Sequence, residues 1–436
     1  MISALIKVVR QLATSIKCFR LPEVNGMPVL TVKKFCRYLR IPVPNCWRDV
    51  KAQPVTATAI FSELEGGSVL AETVKTRRFS IYDLHVLKGM VRVFSENYRH
   101  ISQLSSSDTQ MLKYLISFLY IFWSEGFTPE NFFSYRFYEK TIAEANGFIG
   151  WKYHHLIRHL CNDRKFRVYC SSRAIFNKTY RKWVHRDWLD TMKCTYQDFE
   201  EFLAKQPRFL IKPRTSAGGK GLQLGEASGG KRLFRELQRQ RAVIEEIVTS
   251  HPDLRESVDS PLNTVRIFTL LKANGQVELM AAGIRFGKAG VLADNYHSGG
   301  FAAVVDVKTG HIISDAVDAA HVKHQKLPVS GRTIKGLQVP CWPELIEAVT
   351  EAATIVPQLR HIGWDIAITD KNQIEFIEGN TIAGFNVVQV PDQTGIKYRY
   401  EKPIAEIEAL NRTQGGPSQD SLMEDIKAHR RSFFRL

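Results

Sequence analysis

The chain has no apolar run of the ~18–20 residues that a membrane-crossing helix needs. Cysteine is sparse: Cys18, Cys36, Cys46, Cys161, Cys170, Cys194 and Cys341 are scattered and never form a Cys-x-x-Cys pair. That spacing argues against a zinc site or a disulfide framework and predicts reduced thiols. At the start of the chain, Lys7, Arg10 and Lys17 interrupt what would be the apolar part of a secretory signal. Taken with the thiols, this gives a cytoplasmic location as the expectation. Also missing are internal repeats, low-complexity tracts, a zinc-finger pattern, an RNA-binding aromatic signature and a long basic tract. Nothing in the sequence therefore calls for nucleic acid as a partner.

The chain is 44% hydrophobic and 24% charged, the balance of a soluble globular protein. Its 436 residues are too many for one compact core, so two or three domains are expected. The net charge of +16 favours anionic ligands in general.

Along the chain the pattern changes character. Ile2, Leu5, Ile6, Val9, Leu12 and Ile16 have helical spacing with a basic opposite face, predicting a helix packed on its own domain, with peripheral membrane contact as the alternative. Pro42, Pro44 and Pro54 mark a loop or linker. Residues 80–160 look mainly helical, and the aromatics Phe122, Trp123, Phe127, Phe132, Phe133, Tyr135, Phe137 and Tyr138 form a candidate core. From about residue 160, β-rich runs alternate with glycine turns. A strand is expected at Phe209–Lys212 and a helix over 231–244. A hairpin is expected around Asn274-Gly275, joining Val265–Lys272 to Val277–Phe286. A further helix is expected over 344–360, and Gly415-Gly416-Pro417-Ser418 should break the chain before a charged terminal helix.

The stretch Gly363–Asn380 carries the most chemistry. A two-residue turn at Lys371-Asn372 would set 370 against 373 and so Asp365 against Glu378. Directly opposed residues of an antiparallel pair bring their side chains to about 5 Å on one face. Asn380, two residues further on, shares that face. Two carboxylates so placed repel unless a cation lies between them. Mg²⁺, a hard ion that takes carboxylate, amide and phosphate oxygens, suits Asp365, Glu378 and Asn380 as ligands.

A second signal is the strand Phe209–Lys212 followed by Thr215-Ser216-Ala217-Gly218-Gly219-Lys220-Gly221. Glycines let backbone N–H groups approach a phosphate, and a lysine at the strand end adds a point charge. Gly225…Gly230-Lys231 imitates a P-loop, but Arg232 stands where the motif needs a Ser or Thr hydroxyl for the metal. A turn before a helix is the simpler reading of that segment.

Together these residues resemble the ATP-grasp superfamily, and within it the sugar-transfer-associated ATP-grasp proteins of polysaccharide biosynthesis. The resemblance spans about 125–400. It includes Glu125–Arg136, Asn162-Asp163-Arg164-Lys165-Phe166, the hinge-like Ile244-Glu245-Glu246-Ile247-Val248 and Asn263-Thr264-Val265-Arg266. Arg285, the Asn295…Gly299-Gly300 segment and the metal hairpin complete it. It implies an α+β fold in which two lobes grip ATP, with a mainly helical N-terminal region. The implied domains are 1–155, an ATP-grasp domain at 156–400 (small lobe about 195–250, metal-bearing lobe about 260–400) and a helical tail at 401–436.

By the same resemblance, Lys165 and Lys212, with Lys193 and Lys182 as substitutes for the first, hold phosphate oxygens. Ser216, Gly218, Gly219 and Gly221 cover the phosphates. Glu246 and Val248 offer backbone groups to adenine, with Glu245 nearby. Arg266, Arg285 and Asn295 are the catalytic candidates. Many ATP-grasp ligases carry an arginine just before the metal aspartate; here that stretch is Ile362-Gly363-Trp364, so Arg266 or Arg285 has to supply its charge. The implied reagents are ATP with Mg²⁺ (one or two ions, or Mn²⁺), a small-molecule carboxylate and an amine, with sugar acids or amino acids as the candidate classes. The implied activity is a carboxylate–amine ligase. A phosphotransferase acting on a hydroxyl and a non-catalytic ATP-binding module are the alternatives.

Overall fold

The computed structural model describes residues 23–24, 27–28, 114, 121, 126–127, 129–215, 221–255, 262–287 and 300–422. The expected N-terminal helix, the proline-rich linker and most of the terminal helix lie outside these residues, as do Ser216, Gly218, Gly219 and Asn295. The chain divides into two compact units, Met1–Asn146 and Gly147–Leu436.

Within the first unit, Glu23–Val24 and Met27–Pro28 form a short antiparallel pair. Short helices follow at Pro129–Ser134 and Ile142–Asn146. Phe127, Phe132, Tyr135 and Phe137 are buried against one another, with Phe127 and Phe137 edge-to-face at 4.7 Å.

The second unit holds the two larger sheets. It begins with helix α1 (Trp151–Cys161) and helix α2 (Arg173–Thr179). Strand β1 (Trp188–Asp190), helix α3 (Tyr196–Lys205), strands β2 (Arg208–Pro213) and β3 (Gln223–Glu226), helix α4 (Gly230–Arg239) and strand β4 (Ala242–Glu246) then make the smaller lobe. Its four-stranded sheet has the order β1-β4-β2-β3. Thr195 and Asp198 close the start of α3 with a reciprocal capping box.

One face of this sheet is apolar. Phe209, Ile211 and Ile244 pack against Phe199, Phe202, Phe234 and Leu237 of the two helices. Side chains alternate along a strand, so Lys212 and Glu245 fall on the other face. Helix α4 ends at Arg239, short of the expected 244. Arg241 reverses the chain at φ 52°, and Val243 and Ile244 become strand core in β4, where their branched side chains fit the pleated surface.

The larger sheet runs through β5 (Thr264–Leu271), β6 (Val277–Phe286), β7 (Phe301–Val305), β8 (Ala316–Asp318), β9 (Lys323–His324), β10 (His361–Ile368) and β11 (Ile374–Asn380). Its order is β9-β8-β7-β6-β5-β10-β11, with every neighbouring pair antiparallel. Strands β5 and β10 are buried along their whole length because both faces are covered. Helix α5 (Trp342–Ile355) covers one face, in a core with Trp364 and Phe376. Helices α1 and α6 (Lys397–Thr413) cover the other, where Ile157, Leu160, Tyr400, Ile404 and Ile407 meet Phe268 and Phe385.

Helix α5 was expected to reach residue 360 but stops at Ile355. Val356 precedes Pro357, whose ring disfavours helical backbone at the residue before it. Among the described residues no helix is long and apolar enough to cross a membrane. Cys161, Cys170, Cys194 and Cys341 are free thiols.

Candidate active site

Strands β10 and β11 set the central acidic pair. Asp365 lies opposite Glu378, but the turn is not the two-residue one that the sequence predicts. Ile368 pairs with Ile374, Thr369 N–H donates to the Gln373 carbonyl at 3.0 Å, and Asn372 has a left-handed φ of 60°. Near the tip the partners are therefore one residue out of the expected register. A β-bulge restores it: Ile366 faces Phe376, Asp365 faces Glu378, and Ile377 is left over between them.

On the other side of β10, Asp365 pairs with Arg266 of β5. The Arg266 guanidinium grips both carboxylate oxygens, Nη2 at 2.7 Å from Oδ2 and Nε on Oδ1. Arg285, from β6, adds Nη2 at 3.1 Å from Oδ1 and donates to Thr264 Oγ1 at 2.6 Å. Burial opposes the charge on Asp365, but the two guanidiniums outweigh it and bring the carboxyl down to about 2. For Glu378 the balance reverses. Burial and the neighbouring Asp365 raise it, with Arg173 opposing from 3.7 Å. Asn380 bridges the two acids through Nδ2, at 3.1 Å from Glu378 Oε1 and 3.3 Å from Asp365 Oδ2.

The absence of an arginine just before Asp365 has a structural counterpart. Gly363 shares a face with Asp365, and a Cβ there would sit 2.3 Å from Ala383 Cβ and 3.4 Å from Arg266 Cδ. With no side chain at 363, the stem of Arg266 passes close to that position from the adjacent strand. Gly363→Ala is expected to cost ~1–3 kcal/mol by overpacking. Urea unfolding of the variant measures this. A loss below about 0.5 kcal/mol, the range of an ordinary surface change, would contradict the close approach.

Across from this cluster, Lys212 Nζ is 2.6 Å from Glu245 Oε2. Burial lowers the Lys212 ammonium below its ordinary value while Glu245 opposes the shift. Glu245 is also held at 2.8 Å by Arg186 Nε. Burial raises Glu245, but Arg186 and Lys212 together depress it strongly. Arg186 continues to the large sheet, where Nη1 pairs with Glu375 and donates to the Phe376 carbonyl at 2.7 Å. Its Nη2 donates to Asn177 Oδ1 at 3.1 Å. Sequence reading did not single out Arg186, Arg173 or Glu375. Arg186 sits between His185 and Asp187 in a stretch of mixed charge, with no motif to mark it.

The remaining candidates are placed as follows. Glu246 lies at the end of β4 with its carboxylate 2.9 Å from Asp187 N–H, and Val248 follows half-buried. Gly221 has φ 78°, and a Cβ there would meet Pro213 Cγ at 2.7 Å, so the end of the glycine loop lies against β2. Lys165 is exposed in a short 3₁₀ turn capped by Asp163 and makes no contact with the cluster. Lys182 pairs with Glu351 on the surface, and Lys193 is exposed. Arg173 is the cation that reaches Glu378, while its Nη1 donates to the Pro213 carbonyl at 2.7 Å at the end of β2.

A cleft of about 440 Å³ opens beside Glu378 and Asn380. The residues present fit a divalent cation. Asn380 now turns its N–H toward both acids, and a flip of the amide would present Oδ1 to the same space. Two carboxylates and an amide oxygen form a hard-donor set. Among the described residues no group of three or more His, Cys, Asp or Glu side chains gathers as a metal site; this cluster brings two acids and one amide.

Residues 236–404 match the family model described as sugar-transfer associated ATP-grasp. That match runs from α4 and β4 through the larger sheet to the start of α6. No curated protein matches the sequence.

Similar solved structures are ATP-grasp enzymes at low identity. The ATP-grasp ligase PsnB with a minimal precursor is 11% identical, with 57% of this chain and 63% of that chain covered, at a TM-score of 0.35. D-alanyl-alanine synthetase A from Vibrio cholerae is 10% identical, with 55% and 65% covered, at 0.34. An ATP-grasp ligase associated with ribosomally synthesised peptides in Chryseobacterium gregarium is 10% identical, with 59% and 64% covered, at 0.32. The chain spans less than two thirds of the length of each.

Proposed function

We propose that this protein is an ATP-dependent ligase that activates a carboxylate as an acylphosphate and joins it to an amine, in glycan or related biosynthesis. The observation that carries the proposal is the Asp365–Glu378–Asn380 cluster, backed by Arg266 and Arg285 and opposed across the lobes by Lys212. In this chemistry a carboxylate oxygen attacks the γ-phosphorus and ADP leaves. The amine nitrogen then attacks the acyl carbon, loses a proton and expels phosphate.

The chain contributes positioning and charge. Lys212, on the face of β2 away from the two helices, would hold phosphate oxygens when Glu245 releases part of its grip. Arg173 adds a second cation between the end of β2 and Glu378. Arg266 and Arg285 keep Asp365 ionised and fix its direction. Glu378, Asn380 and Asp365 would hold Mg²⁺. What a bound Mg²⁺ supplies is neutralisation of charge on the phosphate oxygens. Adenine would lie against the strand end at Glu246 and Val248.

The test is product analysis. Incubation with Mg-ATP, a panel of sugar acids and amino acids and a panel of amines is expected to release phosphate only when acid and amine are both present. Mass spectrometry should then show an adduct equal to acid plus amine minus water. A product heavier by one phosphoryl group would replace the ligase reading with a phosphotransferase. Calorimetry showing no Mg-ATP binding would leave a scaffold module instead.

A further inference from the structure

Beside the metal cluster, the second unit carries a cleft whose lining is unusually cationic. Among the described residues that line it, Arg158, Arg167 and Arg173 stand against one carboxylate, Glu378. They come from three separate places: Arg158 from the end of α1, Arg167 from the turn after it, and Arg173 from the first turn of α2. Their convergence depends on close packing. The short helix Val168–Ser171 lies directly on β11, and a Cβ at Gly379 would sit 3.1 Å from Cys170 Sγ and 3.0 Å from Phe176. That approach brings the arginine-bearing turn to the edge of Glu378 and Asn380.

Arg167 is held by backbone. Its Nη2 and Nε donate to the Asn162 carbonyl at 2.9 and 3.2 Å, contacts that fix the direction of the guanidinium. The positive field is felt nearby. His155, on α1, is pushed down to about 4 by burial, with Arg158 and Arg167 adding to the shift. Ser171 and Thr381 add hydroxyls to the same lining.

Resting on the ligase reading, we infer that this cleft is the acceptor-acid site, and that its substrate carries a second anionic group besides the carboxylate to be activated. Glu378 and Asn380 mark the end where phosphoryl transfer takes place. Arg173, in contact with Glu378, receives the reacting carboxylate there. Arg158 and Arg167 lie at the other residues of the lining and take the second charge, a carboxylate or a phosphate, through guanidinium forks that match either group. The hydroxyls of Ser171 and Thr381 suit the polar body of a sugar acid. A volume of about 440 Å³ falls within the usual range for a small-molecule site, ~300–1,000 Å³.

The test is calorimetry on the full chain with three probes: D-glucose, D-glucuronate and D-glucuronate 1-phosphate, each with and without saturating Mg-AMPPNP. The doubly charged sugar acid is expected to bind roughly 10- to 100-fold more tightly than the singly charged one, the effect of one added charge-assisted contact. Arg158→Met should erase that difference while Mg-AMPPNP affinity stays within about twofold. Arg158→Lys, which keeps the charge and removes the fork, should recover part of it, and wild-type circular dichroism in both variants shows that the fold is intact. Equal affinity for the three probes would overturn the inference. So would Arg158→Met weakening Mg-AMPPNP as much as the sugar acid, because the cleft would then be holding the nucleotide's own phosphates. Failure of the ligase reading is seen separately, as charge-selective binding of the acids with no binding of Mg-AMPPNP.

Discussion

Replacing Glu378 with Gln is expected to lower ATP turnover by roughly 100-fold or more while the protein stays folded, the scale seen when one pre-positioned charge-stabilising group is lost. Glu378 suits this experiment because its side chain is 29% exposed, faces the cleft and accepts from Asn380. Gln keeps the shape and an acceptor oxygen but removes the negative charge that a divalent cation needs. Asp365→Ala is a less clean test. Asp365 is buried between two guanidiniums, so its loss also takes their shared carboxylate from Arg266 and Arg285. That variant should lose activity and several kcal/mol of stability together, because removing one member of a buried ion pair costs ~3–5 kcal/mol. Steady-state turnover with thermal unfolding on both variants separates the effects. Near wild-type turnover in Glu378→Gln would remove Glu378 from the metal site.

The second large effect concerns Arg186. Its side chain is 2% exposed and links Glu245 of the small sheet to Glu375 of the large one. Arg186→Met removes the shared cation and leaves two buried carboxylates, Glu245 with Lys212 and the Asn177 amide, and Glu375 with the His185 N–H at 2.8 Å. A loss of ~3–5 kcal/mol at neutral pH is expected. The pH dependence has a definite sign. In the wild type, Glu245 is depressed, so its contribution is present above the ordinary glutamate range and is lost as pH falls toward its folded value. In the variant, the buried carboxylates lose their cation and titrate upward, so the folded state is penalised as pH rises. The gap between variant and wild type should therefore be wider at pH 8 than at pH 5. Urea unfolding at both values measures it, and a gap that is small and independent of pH would show that Arg186 does not neutralise this pair.

Much of the architecture is legible in residue order. Alternation along Phe209–Lys212 separates core from cleft: Phe209 and Ile211 reach the helices of the small lobe, and Lys212 does not. Asn274-Gly275 joins two strands, and the family signature lies on contiguous segments. Misreadings came where neighbouring chain overrides a local pattern. Val243 and Ile244 continue the apolar spacing of α4 but belong to a strand. The helix predicted to reach 360 stops before Pro357. The hairpin turn was misread by one residue, and Asp365 still meets Glu378 because the bulge at Ile377 cancels the error.

By itself the sequence determined the kind of fold, the two strands that carry Asp365 and Glu378, and Lys212 at a strand end before a glycine loop, because these depend on spacing within one segment. Only the tertiary structure decided which cations meet those acids. Arg266 and Arg285 reach Asp365 from strands 99 and 80 residues away, Arg173 reaches Glu378, and Arg186 spans two sheets. Charge pairing between distant segments leaves no periodic trace in a chain, since any of its 60 lysines and arginines could have served until the sheets set which ones came within reach.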